Sequence, residues 1–188
     1  MDEIVKAAMA KWPQVPACYG WLGLDARGTW YMRDDRTQAT GPFAPLSGAS
    51  TKVAKGAPLL HDKLIAFIHR NYLPDDQGRW FFQNGPQRVF VELELTPLIW
   101  RLQPDGRVLA HTGMDAGPLQ RCLLDEWGRL YLQTAVGLGL VHTADMDSAA
   151  DRVERGEWVP QEVRSADLER LGGFIRSPQR AQQSDTPA

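Results

Sequence analysis

Hydrophobic and polar residues alternate along much of this chain, and one kind of turn repeatedly interrupts the alternation. Asp25-Ala-Arg-Gly28 precedes Thr29-Trp30-Tyr31, and Asp75-Asp-Gln-Gly78 precedes Arg79-Trp80-Phe81-Phe82. Asp125-Glu-Trp-Gly128 precedes Arg129-Leu130-Tyr131-Leu132, and a shorter Asp105-Gly106 stands before Arg107-Val108-Leu109. An aspartate starts a turn because its carboxylate accepts from the backbone just ahead of it. Glycine closes the turn because it takes a positive φ without steric cost. The apolar run after each turn reads as a strand, so the pattern predicts hairpins.

Period-two alternation is clearest over 88–95, where Val89, Val91, Leu93 and Leu95 share one face and Phe90, Glu92 and Glu94 the other. Asn84-Gly85 just before it is a strong hairpin signal. Further strands are expected at 98–102, 107–111, 120–124, 129–134 and 138–142. Helical spacing appears at 2–12, where Ile4, Val5, Ala8, Met9 and Trp12 recur. It returns at 60–72, where Leu60, Leu64, Phe67 and Ile68 form a stripe with Ile65 and Tyr72 at its edge. Polar helices are expected at 145–155 and 165–171, each stopped by glycine. Residues 34–58 read as a long interior loop, and the chain from about 177 on reads as a disordered tail. The predicted fold is α+β: a mostly antiparallel sheet of repeated hairpins, one main amphipathic helix packed on it, and short terminal helices. It is expected as one domain over 1–175, with two small subdomains meeting near 97–105 as the alternative, and a tail over 176–188. The turns recur at uneven intervals, which excludes a solenoid or propeller and leaves a pair of related units open.

Composition narrows the function classes only slightly. Of 188 residues, 21 are basic and 23 acidic, a net charge of −2 that argues against nucleic acid as the main partner. Seven tryptophans suit a β-rich core, and they also suit an aromatic binding surface. Two cysteines make no disulfide framework, and neither a signal peptide nor a membrane span is written in the chain, so a cytoplasmic location is expected.

The stretch from Leu24 to Pro97 opens on an Asp-x-x-Gly-x-Trp-aromatic run, Asp25 to Tyr31. It continues through a Leu-x-x-Phe helix with Leu64 and Phe67, and a second such turn from Asp75 to Trp80. It closes on an acidic strand with Glu92, Glu94, Thr96 and Pro97. In this order it resembles a family of uncharacterised proteobacterial domains of unknown function, built of repeated small β-rich motifs, although the 34–58 insertion departs from that family. The resemblance implies a possible signalling role and carries over no catalytic residue.

Chemistry-bearing residues do not form a motif. His61 and His69 lie two helical turns, about 12 Å, apart, and His111 and His142 sit at strand ends. No spacing among the four supports a metal site. Gly48-Ala-Ser-Thr-Lys52 lacks the rest of a phosphate loop, Gly137-Leu-Gly139 is too short for a dinucleotide fingerprint, and no acidic turn has calcium-loop spacing. Glu92 and Glu94 share a strand face, either as a solvated face or, walled by Phe90 and Trp80, as a site for a cationic or polyhydroxylated ligand. No catalytic residue, metal or cofactor is assigned. The candidate binding residues are Trp30, Trp80, Phe90, Glu92, Glu94 and His61. The leading reading is a non-catalytic, regulatory module that binds a small molecule or a protein. A hydrolase using Glu92, Glu94 and His61 is the second class, and a homodimeric assembly protein the third.

Overall fold

The computed structural model describes residues 1–45 and 52–184. The Gly48–Lys52 fragment therefore lies almost wholly outside the described residues. In chain order the elements are α1 (Glu3–Lys11), β1 (Cys18–Leu24), β2 (Trp30–Met32), α2 (Asp35–Thr40), β3 (Ala57–Pro58), α3 (Asp62–Arg70), β4 (Tyr72–Pro74), β5 (Trp80–Asn84) and β6 (Gln87–Leu93). There follow β7 (Leu98–Leu102), β8 (Val108–Ala110), β9 (Leu119–Asp125), β10 (Leu130–Thr134), β11 (Gly137–Val141), α4 (Met146–Glu154), β12 (Pro160–Val163), α5 (Leu168–Gly172) and α6 (Pro178–Ser184). The fold is α+β, as the alternation predicted.

Two compact units divide these elements. The first comprises residues 1–25, 29–94 and 174–188, the second 26–28 and 95–173. The first holds a sheet ordered β3-β2-β1-β6-β5-β4, and the second one ordered β12-β9-β10-β11-β7-β8. Read from opposite ends, the two orders contain the same five-strand plan. A hairpin (β1–β2, or β7–β8) is followed by a three-stranded meander (β4–β5–β6, or β9–β10–β11). The last meander strand returns parallel to the first hairpin strand. The registers agree as well. Leu22 pairs with Val91 and Trp100 with Val141, and three residues beyond Leu22 and Trp100 a turn begins that closes on glycine, at Asp25 and at Gln103. The fourth turn is therefore Gln103-Pro-Asp-Gly106, with its aspartate inside the turn and not at its start. The units differ in what is added at the edge: β3 outside β2 in one, β12 outside β9 in the other.

The three full Asp turns share one device. Asp75 Oδ1 accepts from the amides of Gln77 and Arg79 at 3.0 and 2.9 Å, and Asp125 Oδ1 from Trp127 and Arg129 at 3.0 and 2.9 Å. Asp25 Oδ1 accepts from Thr29 N at 2.8 Å. The second carboxylate oxygen fastens the turn to the strand beyond: Tyr31 Oη donates to Asp25 at 3.3 Å, Tyr131 Oη to Asp125 at 2.8 Å, and Arg79 Nε to Asp75 at 2.8 Å. The closing glycines have φ of 72 to 87° (Gly28 81°, Gly78 77°, Gly106 87°, Gly128 72°). In that region a side chain would strain the backbone.

Several expectations need correction. The central helix starts at Asp62 because the His61 imidazole caps it, with Nδ1 accepting from Leu64 N at 3.2 Å. Leu60 lies ahead of the cap and is 81% exposed, so it is no part of the apolar stripe. Tyr72 belongs to β4, and Phe67 meets Phe82 of β5 edge-on at 5.4 Å, which sets α3 on the sheet. Within 34–58, α2 forms behind the Asp34 cap, whose side chain accepts from Thr37 N. Over 90–93 the strand expected at 88–95 has no solvated face: Phe90, Val91, Glu92 and Leu93 are all buried, and only Arg88 at its start is exposed. Residues 178–184, expected to be part of a disordered tail, are helical, because Phe174 and Pro178 are buried and Glu92 holds the helix start. A polar composition did not reveal that a buried carboxylate elsewhere would bind this segment.

Because the Asp125 side chain is fully enclosed, removing it orphans two amides and a phenol. Asp125→Ala is expected to lower stability by about 3 kcal/mol and Tyr131→Phe by about 1 kcal/mol in urea denaturation. Equal losses for the two would show that the carboxylate does not hold the turn amides.

Candidate functional site

The six residues singled out in the sequence all fall in the first unit, and the structure puts them to different uses. Trp30 is enclosed, with its Nε1 donating to His69 Nε2 at 3.0 Å and its ring edge-on to Tyr72 at 5.1 Å. Burial lowers the His69 pKa, in keeping with a neutral imidazole that accepts from the indole. Trp80 leans on Tyr72 at 4.8 Å, and Phe90 stacks on Tyr19 at 4.6 Å with the rings 8° from parallel. Trp30, Trp80 and Phe90 therefore fill the core and do not wall an open site. His61 is the α3 cap. Glu94 pairs with Lys55 at 2.8 Å, and its carbonyl accepts from Arg176 Nη2 at 2.6 Å.

Glu92 is only 4% exposed, and it accepts from Ser177 Oγ at 2.6 Å and from Gln179 N at 3.0 Å. Burial pushes its carboxyl pKa up, opposed by those two hydrogen bonds and by the charges of Arg33 and Arg180. Arg33 is as deeply enclosed. Its guanidinium donates to the carbonyls of Ala54, Gly20 and Gly41 at 3.0, 3.0 and 2.6 Å, so one side chain ties together three separated backbone segments. Gln179 Nε2 donates to Gln38 Oε1 at 2.9 Å and extends this polar assembly. The assembly organises the first unit, and its groups are already occupied by one another.

An open cleft is found instead in the second unit. It has a volume of about 690 Å³ and lies along β9, β12 and α5, within the range of ligand pockets. Its walls include Arg121, Arg164 and Arg170 together with Asp125, Glu126, Glu162 and Asp167. Most of the acids are committed. Asp125 serves its turn, Glu126 accepts from the amide and hydroxyl of Ser165 at 2.8 and 2.7 Å, and Asp167 pairs with Arg170 at 2.9 Å. The Ser165 bonds are the foremost reason that the Glu126 pKa lies low. The Arg121 side chain donates to Gln161 Oε1 at 3.3 Å, and among the described residues neither it nor the exposed Arg164 side chain has an ion-pair partner. In register, Pro160 pairs with Cys122 and Val163 with Asp125. Arg121 and Arg164 therefore stand at opposite ends of the β9–β12 seam, about 15 Å apart along the strands. Among the described residues the cleft thus offers two cations without an ion-pair partner, Arg121 and Arg164, and one such acid, Glu162. Sequence reading missed it because these side chains come from separate strands and a helix and have no shared spacing.

Among the described residues no group of three or more His, Cys, Asp and Glu side chains gathers as a metal site, and no helix is long and apolar enough to cross a membrane. Cys18 and Cys122 are free thiols, and burial pushes the Cys122 pKa up to about 11.

Residues 1–179 match a family described as "Protein of unknown function (DUF2946)". Two solved structures are similar in part. One is the crystal structure of a DUF1285 family protein from Shewanella baltica OS155, with 17% identity and a TM-score of 0.44, covering 70% of this chain and 91% of that one. The other is a DUF1285 family protein from Silicibacter pomeroyi DSS-3, with 13% identity and a TM-score of 0.46, covering 80% of this chain and 84% of that one. No curated protein matches the chain.

A carboxyl whose folded pKa lies above its ordinary value of 4.5 makes the folded state take up the proton more readily, so its contribution to stability falls as pH rises through that window. The wild-type protein is therefore expected to lose stability relative to Glu92→Gln as pH rises from 4.5, and to level off once the folded carboxyl has ionised. Urea midpoints across pH 4 to 8 check this (an about four-unit span around the carboxylate range), and a difference that grows in the wild type's favour would refute it.

Proposed function

The chain belongs to this family of unknown function, and from that premise we propose that it is a non-catalytic, regulatory binding module that takes an anionic ligand in the cleft along β9, β12 and α5. The observation that carries the reading is the imbalance among the cleft's free groups. Arg121 and Arg164 bracket it, while Asp125, Glu126 and Asp167 are held by other bonds. Guanidinium groups recognise carboxylates and phosphates through paired donors, so the favoured ligand carries such a group at each end. The span of the seam fits an elongated polyanion better than a single inorganic ion. Two free thiols accord with the cytoplasmic setting included in this reading.

The hydrolase reading finds less support, since Glu92, Glu94 and His61 are each bonded to a structural partner. Assembly through a sheet edge is also less favoured. The outer strand β12 opens on Pro160 and carries Glu162, and both residues blunt edge-to-edge pairing.

Amide-resolved NMR titration of the full chain with citrate, inorganic phosphate and a short poly-glutamate peptide tests the proposal. Shifts are expected to cluster on Arg121, Glu162 and Arg164 and to weaken as salt increases. The Arg121→Ala/Arg164→Ala double variant is expected to bind at least about tenfold more weakly. Shifts scattered over both units, or retained in the double variant, would remove the cleft from consideration.

A further inference from the structure

A second cleft, in the first unit, has a different character from the charged one. It has a volume of about 370 Å³ and lies between the end of α1 with the segment after it and the β5–β6 hairpin. Its walls are apolar: Met9, Trp12, Val15 and Pro86, with the Trp12 ring about half exposed. Two polar residues of the hairpin complete it, Gln83 and Arg88, which are paired directly across β5 and β6 and so stand side by side on one sheet face.

Both side chains have unused capacity. Gln83 is 1% exposed. Its Nε2 donates to Gly85 O at 2.8 Å, while its Oε1 is buried without any partner among the described residues. A buried acceptor left unmade is costly, so a ligand donor that meets it is favoured over a ligand without one. Arg88 rests its guanidinium over the Phe81 ring at 4.9 Å, is exposed, and has no carboxylate partner among the described residues. Lys11 adds a second positive charge over Trp12 at 4.5 Å. The hairpin is also braced against the segment that closes the cleft, since Gln87 Nε2 donates to Pro16 O at 3.1 Å.

We propose that this cleft binds a free apolar amino acid, its side chain against Trp12 and Met9, its ammonium donating to Gln83 Oε1 and its carboxylate held by Arg88. The pattern demands all three parts. An apolar body alone leaves Gln83 unsatisfied, a fatty acid lacks the donor, and an amine lacks the anion. The volume lies within the range of small-molecule pockets. The site shares no residue with the charged cleft of the second unit, so it stands whether or not that cleft binds anything.

Calorimetric titration of the full chain with L-phenylalanine and L-leucine tests the proposal, with 3-phenylpropionate (no ammonium) and L-phenylalaninamide (no carboxylate) as the comparison pair. The amino acids are expected to bind at least about tenfold more tightly than either analogue. Gln83→Leu is expected to erase the preference over 3-phenylpropionate and keep that over the amide. Arg88→Gln is expected to do the reverse. Arg88 is exposed, so its variant folds even if Gln83→Leu does not, and the analogue comparison on the wild type needs no variant. The proposal is overturned if neither amino acid binds at millimolar concentration, if the analogues bind equally well, or if Arg88→Gln leaves the discrimination intact.

Discussion

A hairpin that turns through four residues leaves backbone amides pointing into the turn, and in this protein an aspartate carboxylate collects them. Asp75 and Asp125 each take two amides on one oxygen and a side chain at or before the next strand on the other, and Asp25 repeats the arrangement with the Thr29 amide and Tyr31. Tying turn and strand to the same carboxylate determines where the next strand begins. Because side chains alternate, a slip of one residue would send the core face outward. The aromatic cores of both units rest on those registers. Burial of Asp75 would by itself raise its pKa, but the guanidinium of Arg79 and the backbone amides outweigh that and hold it below the ordinary carboxylate value.

Using the same hairpin-and-meander plan in both units has a structural consequence. The parallel pairing of β1 with β6, and of β7 with β11, closes each meander onto its own hairpin, so each sheet is locally wound and yet contains a long-range contact. Their outer edges, where the copies differ, are also where they carry different additions. In the second unit β12 and α5 add an edge with arginines and acids. In the first, Arg33 and Glu92 gather the loop, α2 and α6 around β1 and β6. A buried cation that satisfies three carbonyls and a buried carboxylate that satisfies a helix start do for the first unit what apolar packing alone would not, which is to specify a single arrangement of irregular segments.

Many of the strand positions were legible in the chain, though not their order in the sheets. The Asp-x-x-Gly turns, the alternation over 88–95 and the stripe of α3 are local, and local backbone preference responds to residues a few positions apart. The short strands β4 and β12 were not legible, since three or four residues carry too little periodicity. Nor were the roles of the candidate residues. Trp30, Trp80 and Phe90 have the composition of a binding wall and the burial of a core. Glu92 and Glu94 alternate as a solvated pair would, yet one is buried under α6 and the other is tied to Lys55.

By itself, then, the sequence determined where the chain turns, its longer strands and the helices α1, α3 and α4, and the α+β class, because these follow from steric and hydrogen-bonding preferences within a few residues. Only the tertiary structure decided that the strands form the same five-strand plan twice, that part of the polar tail becomes a helix, and that arginines and an amide oxygen without a partner among the described residues line two separate clefts. Those outcomes depend on which distant residues share a desolvated environment, and burial is a property of the packed chain that no short stretch of it encodes.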